Sequence, residues 1–233
     1  MKSAAGDRLA RIDWAAAGMQ LDAYGVAVLP GLLSPHESDA VGRLWETADF
    51  RKEIVMARHG YGRGAYRYFA YPLPPLIEGL REGLYARLAP IANGWRARLG
   101  SSPFPATLAA FLERCHAAGQ TRPTPLLLDY GEGDYNRLHQ DLYGEHAFPL
   151  QATLLLSAPG KDFTGGEFVV TEQRPRRQSR VEALPLGKGD AVVFAVNDRP
   201  APTGRGRLRM RHGVSTVRSG HRRTLGIIFH DAA

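Results

Sequence analysis

The chain is expected to fold as an α+β protein, a layer of N-terminal helices packed on a β-sandwich or barrel, and three observations lead there. Before residue 120 the apolar residues recur at helical spacing. After residue 125 they fall into seven short runs, and Pro-, Gly- and Asp-rich turns separate those runs at the density of an all-β unit. No repeat, low-complexity tract or linker divides the 233 residues. A single domain over 1–233 is therefore expected, with 1–124 as mainly helical support plus a candidate substrate loop and 125–233 as the β core.

The elements follow in order. Residues 25–30 read as a short buried strand. Ser34-Pro35-His36-Glu37 then starts a helix that runs to about Trp45: serine can cap, proline suits the first helical position and glutamate closes a capping box. Residues 56–71 lack a period and read as a glycine-jointed loop. Leu76, Leu80, Leu84, Leu88 and Ile91 predict a helix over about 76–99, and a third helix covers 106–118, where Cys115 joins the apolar face of Leu108, Phe111 and Leu112. Strands are expected at 125–130, 150–157, 166–171, 180–186, 191–196, 208–217 and 222–230.

Composition narrows the function classes. A hydrophobic content of 44% and a charged content of 23% exclude a disordered or collagen-like chain. No apolar run approaches the roughly 18 residues of a membrane span, and charge interrupts the first 13 residues before any signal peptide could form. One cysteine cannot make an intrachain disulfide, so a reducing, cytoplasmic home is expected. Thirty Lys and Arg against 23 Asp and Glu give a net charge of +7. Residues 171–223 alone carry thirteen Lys or Arg against four acids, a local excess of +9 that draws polyanions or acidic small molecules.

The chemistry centres on His139 and Asp141. Two residues apart on extended backbone, an imidazole and a carboxylate point to one face and can reach one cation. His212, 71 residues later at another strand pattern, can supply a third ligand. Two His and one carboxylate leave the opposite coordination positions free, which suits Fe(II) that must also bind a cosubstrate and O2. Ten residues on, Arg222 and Thr224 share one strand face; a guanidinium grips a carboxylate through two parallel bonds and the hydroxyl adds a donor.

On these residues the sequence resembles the Fe(II)- and 2-oxoglutarate-dependent oxygenases over about 125–231. Gly165-Gly166-Glu167-Phe168 and the stretch 187–194 look like that superfamily's strand-entry patterns. The resemblance implies a double-stranded β-helix, or jelly-roll, with metal ligation by His139, Asp141 and His212. It also implies a 2-oxoglutarate carboxylate held by Arg222 and Thr224, with Tyr130 on the cosubstrate, and hydroxylation of a C–H bond with release of succinate and CO2. The Tyr130-to-His139 spacing resembles the AlkB-type demethylases, although Leu128 stands where that branch has Asn and its downstream arginine pair is absent. The ten-residue step from His212 to Arg222 is closer to prolyl-hydroxylase-like enzymes. The C-terminal half also resembles bacterial oxygenases assigned by similarity to oxidative repair of damaged DNA.

Substrate readings start from two basic segments. In 56–71, Arg58, Arg63, Tyr61, Tyr66 and Tyr68 can stack a flipped base and grip phosphates, frame a peptide groove, or pack as core. Arg176 and Arg177, on a basic turn at 172–180, can meet phosphates or be a solvated turn. The leading expectation is oxidative demethylation of an alkylated nucleic-acid base. Alternatives are hydroxylation of a protein side chain such as proline, or a metal-binding jelly-roll without turnover, against which Arg222 and Thr224 argue.

Overall fold

Caps and periodicity set the helices. The computed structural model describes residues 4–174, 176–202 and 206–233. Helices α1 (Ala4–Arg11) and α2 (Trp14–Tyr24) precede strand β1 (Val26–Leu29), and α3 (Pro35–Thr47) follows it. The Ser34 hydroxyl accepts from the Glu37 N–H while the Glu37 carboxylate accepts from the Ser34 N–H, so the capping box forms as the sequence suggests. Next come β2 (Phe50–Val55), a 3-10 turn (Met56–His59), β3 (Gly62–Arg63) and β4 (Ala65–Phe69). The long α4 (Pro75–Arg98) buries Ile77, Leu80, Leu84, Tyr85 and Leu88, and α5 (Leu108–Ala117) buries Phe111 and Cys115.

The second half is all strand. In order these are β5 (Leu126–Tyr130), β6 (Tyr135–His139), β7 (Leu150–Leu155), β8 (Phe163–Gly165), β9 (Phe168–Gln173) and β10 (Arg180–Leu184). They continue as β11 (Ala191–Ala195), β12 (Asp198–Pro200), β13 (Arg207–Val214), β14 (Val217–Gly220) and β15 (Arg222–Ile227). A seven-stranded major sheet runs β1-β11-β7-β15-β5-β4-β2. A minor sheet runs β10-β9-β13-β6-β3 with β12 on β13, and β8 pairs with β14. Every ladder between these strands is antiparallel among the described residues.

Three expectations need correction. The first half supplies strands as well as helices: β2 and β4, outside the expected elements, extend the major sheet. The supposed loop at 56–71 contains β3 and β4, because Tyr66 and Tyr68 alternate in register with Leu128 and Leu126 of β5. The last strand ends at Ile227 rather than 230. There the buried Arg81 guanidinium donates to the carbonyls of Ile228 and Phe229 and to the Asp231 carboxylate, which removes those carbonyls from the sheet. Arg223 is held on the opposite face of the same strand. It points away from Arg222, pairs with Asp129 at 3.0 Å and donates to the Gly42 carbonyl of α3, which ties the helical layer to the outer face of the major sheet.

Candidate active site

The two sheets enclose a cavity of about 390 Å³. His139 ends β6 and stands directly across from His212 of β13. A β-bulge makes this alignment possible: between His212↔His139 and Val214↔Asn136, one extra residue is accommodated on β6, so Asn136 and His139 both line the cavity. Gly213 sits opposite the bulge, where a Cβ would lie 2.7 Å from the Asn136 carbonyl oxygen.

Asp141 follows the strand and is buried. Its carboxylate oxygens lie 3.5 Å from His139 Nε2 and 3.3 Å from His212 Nε2. Candidate ligand atoms of all three residues fall within 4.8 Å of one another, close enough for one cation. The second nitrogen of each ring matters for the tautomer. His139 Nδ1 donates to the Arg137 carbonyl at 2.7 Å, so the ring, when neutral, presents its Nε2 lone pair to the cluster. Burial lowers the His139 pKa, but the hydrogen bond and charge of Asp141 outweigh it and raise the pKa, so that without a cation the ring also takes a proton. His212 Nδ1 has no hydrogen-bond partner among the described residues. Burial, together with the neighbouring His139 charge, lowers the His212 pKa and favours the neutral, ligating ring. Burial alone would raise Asp141, but hydrogen bonds and charge from the two histidines hold it well below the usual carboxylate range.

Tyr143 was not singled out by the sequence, although it continues the same two-residue alternation. Its hydroxyl donates to Asp141 Oδ1 at 2.7 Å. That bond occupies one carboxylate oxygen and leaves Oδ2 for a cation.

Arg222 and Tyr130 are register partners on β15 and β5, and with Thr224 they line the same cavity. The Arg222 side chain is buried, yet Nε and Nη1 have no partner among the described residues. Burial pushes its pKa down to about 10 against the opposing pull of Tyr130 and Glu167. Unpaired donors on a buried cation are costly unless an anion completes them, so this corner fits a carboxylate. The Gly165-Gly166 pair explains how the stem fits: Gly166 has φ of +64°, and a Cβ there would lie 2.8 Å from Arg222 Cδ. Burial raises Tyr130 to about 12, so its hydroxyl keeps its proton and can donate. Gln151 and Thr153 of β7 also face this cavity, and Gln151 Oε1 is unpaired among the described residues; nothing in the sequence marked them.

The expected substrate residues are dispersed. Tyr61 is 50% exposed at the cavity mouth and stacks on His59 at 5.3 Å. Arg58 and Arg63 are exposed nearby, with Arg63 3.7 Å from Asp134. Tyr66 lines the cavity. Tyr68 does not face the opening: it is 7% exposed, packed with Ile54, Leu126 and Ile228, and the Arg51 guanidinium covers its ring at 4.3 Å. Arg176 and Arg177 are exposed on the β9–β10 turn, at the end of β9 away from the cavity-lining Phe168.

In a double-stranded β-helix, a cluster that offers a cation two imidazoles and one carboxylate, with other positions left open, marks the Fe(II)- and 2-oxoglutarate-dependent oxygenases. Within that class, a family model described as "Oxygenase, catalysing oxidative methylation of damaged DNA" matches residues 64–232, and the chain belongs to this family. The uncharacterized proteins Rv2227 and MT2286, from two strains of Mycobacterium tuberculosis, are each 53% identical over 174 residues, 73% of this chain and 75% of theirs. Solved structures with similar folds include two prolyl hydroxylases. A Pseudomonas putida prolyl-4-hydroxylase has a TM-score of 0.56 at 15% identity over 94% of this chain and 99% of that one. A Trichoplax adhaerens prolyl hydroxylase, solved with a hypoxia inducible factor peptide, has 0.58 at 14% identity over 97% and 91%. The chain is thus an oxygenase whose chemistry uses Fe(II), 2-oxoglutarate and O2. No helix among the described residues is long and apolar enough to cross a membrane.

Proposed function

We propose that the chain oxidises an N-alkyl carbon on a nucleic-acid base, with Fe(II) held by His139, Asp141 and His212 and the distal carboxylate of 2-oxoglutarate held by Arg222, Thr224 and Tyr130. The observation that carries the cosubstrate half is the buried Arg222, whose free N–H groups need an anion inside the cavity that the three ligands line. The bound metal supplies oxidation of a C–H bond to C–OH by O2, coupled to conversion of 2-oxoglutarate to succinate and CO2. A hydroxylated N-methyl carbon leaves as formaldehyde and restores the bare amine.

The chain's own residues orient and exclude. The Arg137 carbonyl fixes the His139 tautomer and Tyr143 turns the Asp141 carboxylate. Leu126, Leu128, Phe168 and Phe194 make the cavity wall apolar and keep bulk water away. At the mouth, the exposed ring of Tyr61 and the cations Arg58, Arg63 and Arg137 suit a planar base attached to phosphates. This mouth, together with the family's description, supports a nucleic-acid substrate. The ten-residue step from His212 to Arg222 favours a protein side chain as the second reading. Incubation with Fe(II), 2-oxoglutarate and either N-methylated oligonucleotides or a proline-containing peptide library, followed by mass spectrometry, decides between them. Loss of 14 Da per methyl from the oligonucleotide is expected, and a gain of one oxygen on peptide alone would transfer the reading to proteins.

A further inference from the structure

The outer face of the minor sheet carries a feature that the active site does not use. Along β13 the burial alternates strictly from Arg207 to His212: Leu208, Met210 and His212 face inward while Arg207, Arg209 and Arg211 are exposed. Every outward position of that stretch is therefore arginine. Their cross-strand neighbours are Thr171 and Gln173 on β9 and Asp198 and Pro200 on β12, a single carboxylate among four residues. Asp198 lies 3.7 Å from Arg209, while Arg207 and Arg211 have no salt-bridge partner among the described residues. A solvated strand face has no need of one repeated cation, and like charges on one strand repel, so a ligand that neutralises them gains accordingly.

The placement of the stripe points to its partner. Arg211 adjoins His212, whose strand partner His139 ends β6, and Arg137 and Leu138 of β6 line the cavity mouth. From there the stripe leads away for about 13 Å at roughly 3.3 Å per residue. It heads for the β9 end that bears Gln173, beyond which Arg174, Arg176 and Arg177 follow on the turn. Successive outward arginines are about 6.6 Å apart, a step at which an extended single strand can offer one phosphate to each guanidinium. Guanidinium matches phosphate through paired N–H bonds, and among the described residues the register neighbours of the three arginines, Thr171, Gln173, Asp198 and Pro200, include no aromatic ring to stack on a base.

We infer that Arg207, Arg209 and Arg211 form a phosphate track that holds the single strand flanking the base in the cavity. The inference rests on the proposed nucleic-acid substrate. Contact with three phosphates gives a salt dependence of about 0.7 log K per contact for each unit of log salt.

The test uses the full chain and a fluorescein-labelled 15-nucleotide single strand bearing one N-methylated base, with anisotropy read from about 50 to 200 mM NaCl. Arg207→Gln/Arg209→Gln/Arg211→Gln should flatten the log–log slope by about two. Over that range the wild type should lose about 20-fold more affinity than the variant. An unchanged slope in a variant with wild-type melting temperature and metal binding would overturn the track, as would equal loss of binding to polyglutamate, which has charge without a phosphate chain. Demethylation by the wild type of a methylated trinucleotide, too short to follow the stripe, reports separately on the base-oxidation reading. Absent trinucleotide turnover with the slope change intact would remove that reading and retain the track.

Discussion

Replacing Arg222 with Met separates a binding role from a structural one, because the two roles give opposite signs of stability change in the ligand-free protein. The guanidinium is buried with two nitrogens unpaired among the described residues. The gap between its ordinary 12.5 and about 10 in the fold corresponds to a charge that costs about 3 kcal/mol to carry. Met retains most of the stem and leaves a void that costs about 1 to 2 kcal/mol. The ligand-free Arg222→Met protein is therefore expected to be no less stable than wild type. Saturating 2-oxoglutarate at about 100 times its Kd should stabilise the wild type, loaded with Mn(II) in place of iron, by about 2.7 kcal/mol. That is about 5 to 10 °C for a chain of this size. Differential scanning fluorimetry should show this shift in wild type, a reduced shift in Arg222→Lys, which keeps charge without the two-pronged geometry, and none in Arg222→Met. A full shift in Arg222→Met would refute the carboxylate role. A loss of more than about 3 kcal/mol without ligand would mean that Arg222 has a partner in the fold, as removal of half a buried ion pair does.

Tyr143→Phe deletes the hydrogen bond to Asp141 and little else, so metal affinity, read by Co(II) titration and its visible bands, should fall about 10- to 100-fold with stability nearly unchanged. His230 is buried and burial depresses its pKa from 6.5 to about 4, so the unfolded chain binds the proton first. Stability is fully present above about pH 6.5 and is lost as pH falls towards 4, by about 3 kcal/mol at most, and urea unfolding of His230→Gln at pH 7.5 and 5 should show a smaller loss than wild type. Tyr61→Ala should weaken oligonucleotide binding by about 1 to 3 kcal/mol without lowering the melting temperature. Tyr68→Ala should do the reverse and cost about 3 to 5 kcal/mol of stability, since its ring lies in the satellite core with Ile54 and Leu126.

Much of the site was legible because its chemistry is local in sequence. His139 and Asp141 are two residues apart, as are Arg222 and Thr224, and spacing alone suggests a shared side of the chain. The helices were legible for a similar reason: Ser34 and Glu37 make a capping box within four residues. What spacing could not reveal depends on pairing between distant segments. Tyr66 and Tyr68 look alike on the chain, but β4 pairs with β5 so that one lines the cavity and the other is sealed under Arg51. Gln151 and Thr153 reach the cavity only because β7 lies beside β15. The β6 bulge was invisible because nothing in Asn136-Arg137-Leu138-His139 marks an extra residue; it follows from Gly213 on the partner strand. Nothing near Arg223 in sequence announces its partners, because the α3 carbonyl and Asp129 that hold it are 181 and 94 residues away.

The most direct measurement counts products. With Fe(II), 2-oxoglutarate, O2 and an oligonucleotide carrying one N-methylated base, succinate and formaldehyde should form in equal amounts as the bare base appears. His139→Ala, Asp141→Ala and His212→Ala should each abolish all three products while remaining folded. Succinate released at a rate indifferent to the oligonucleotide, with no formaldehyde and the methyl group intact, would contradict the account at its centre.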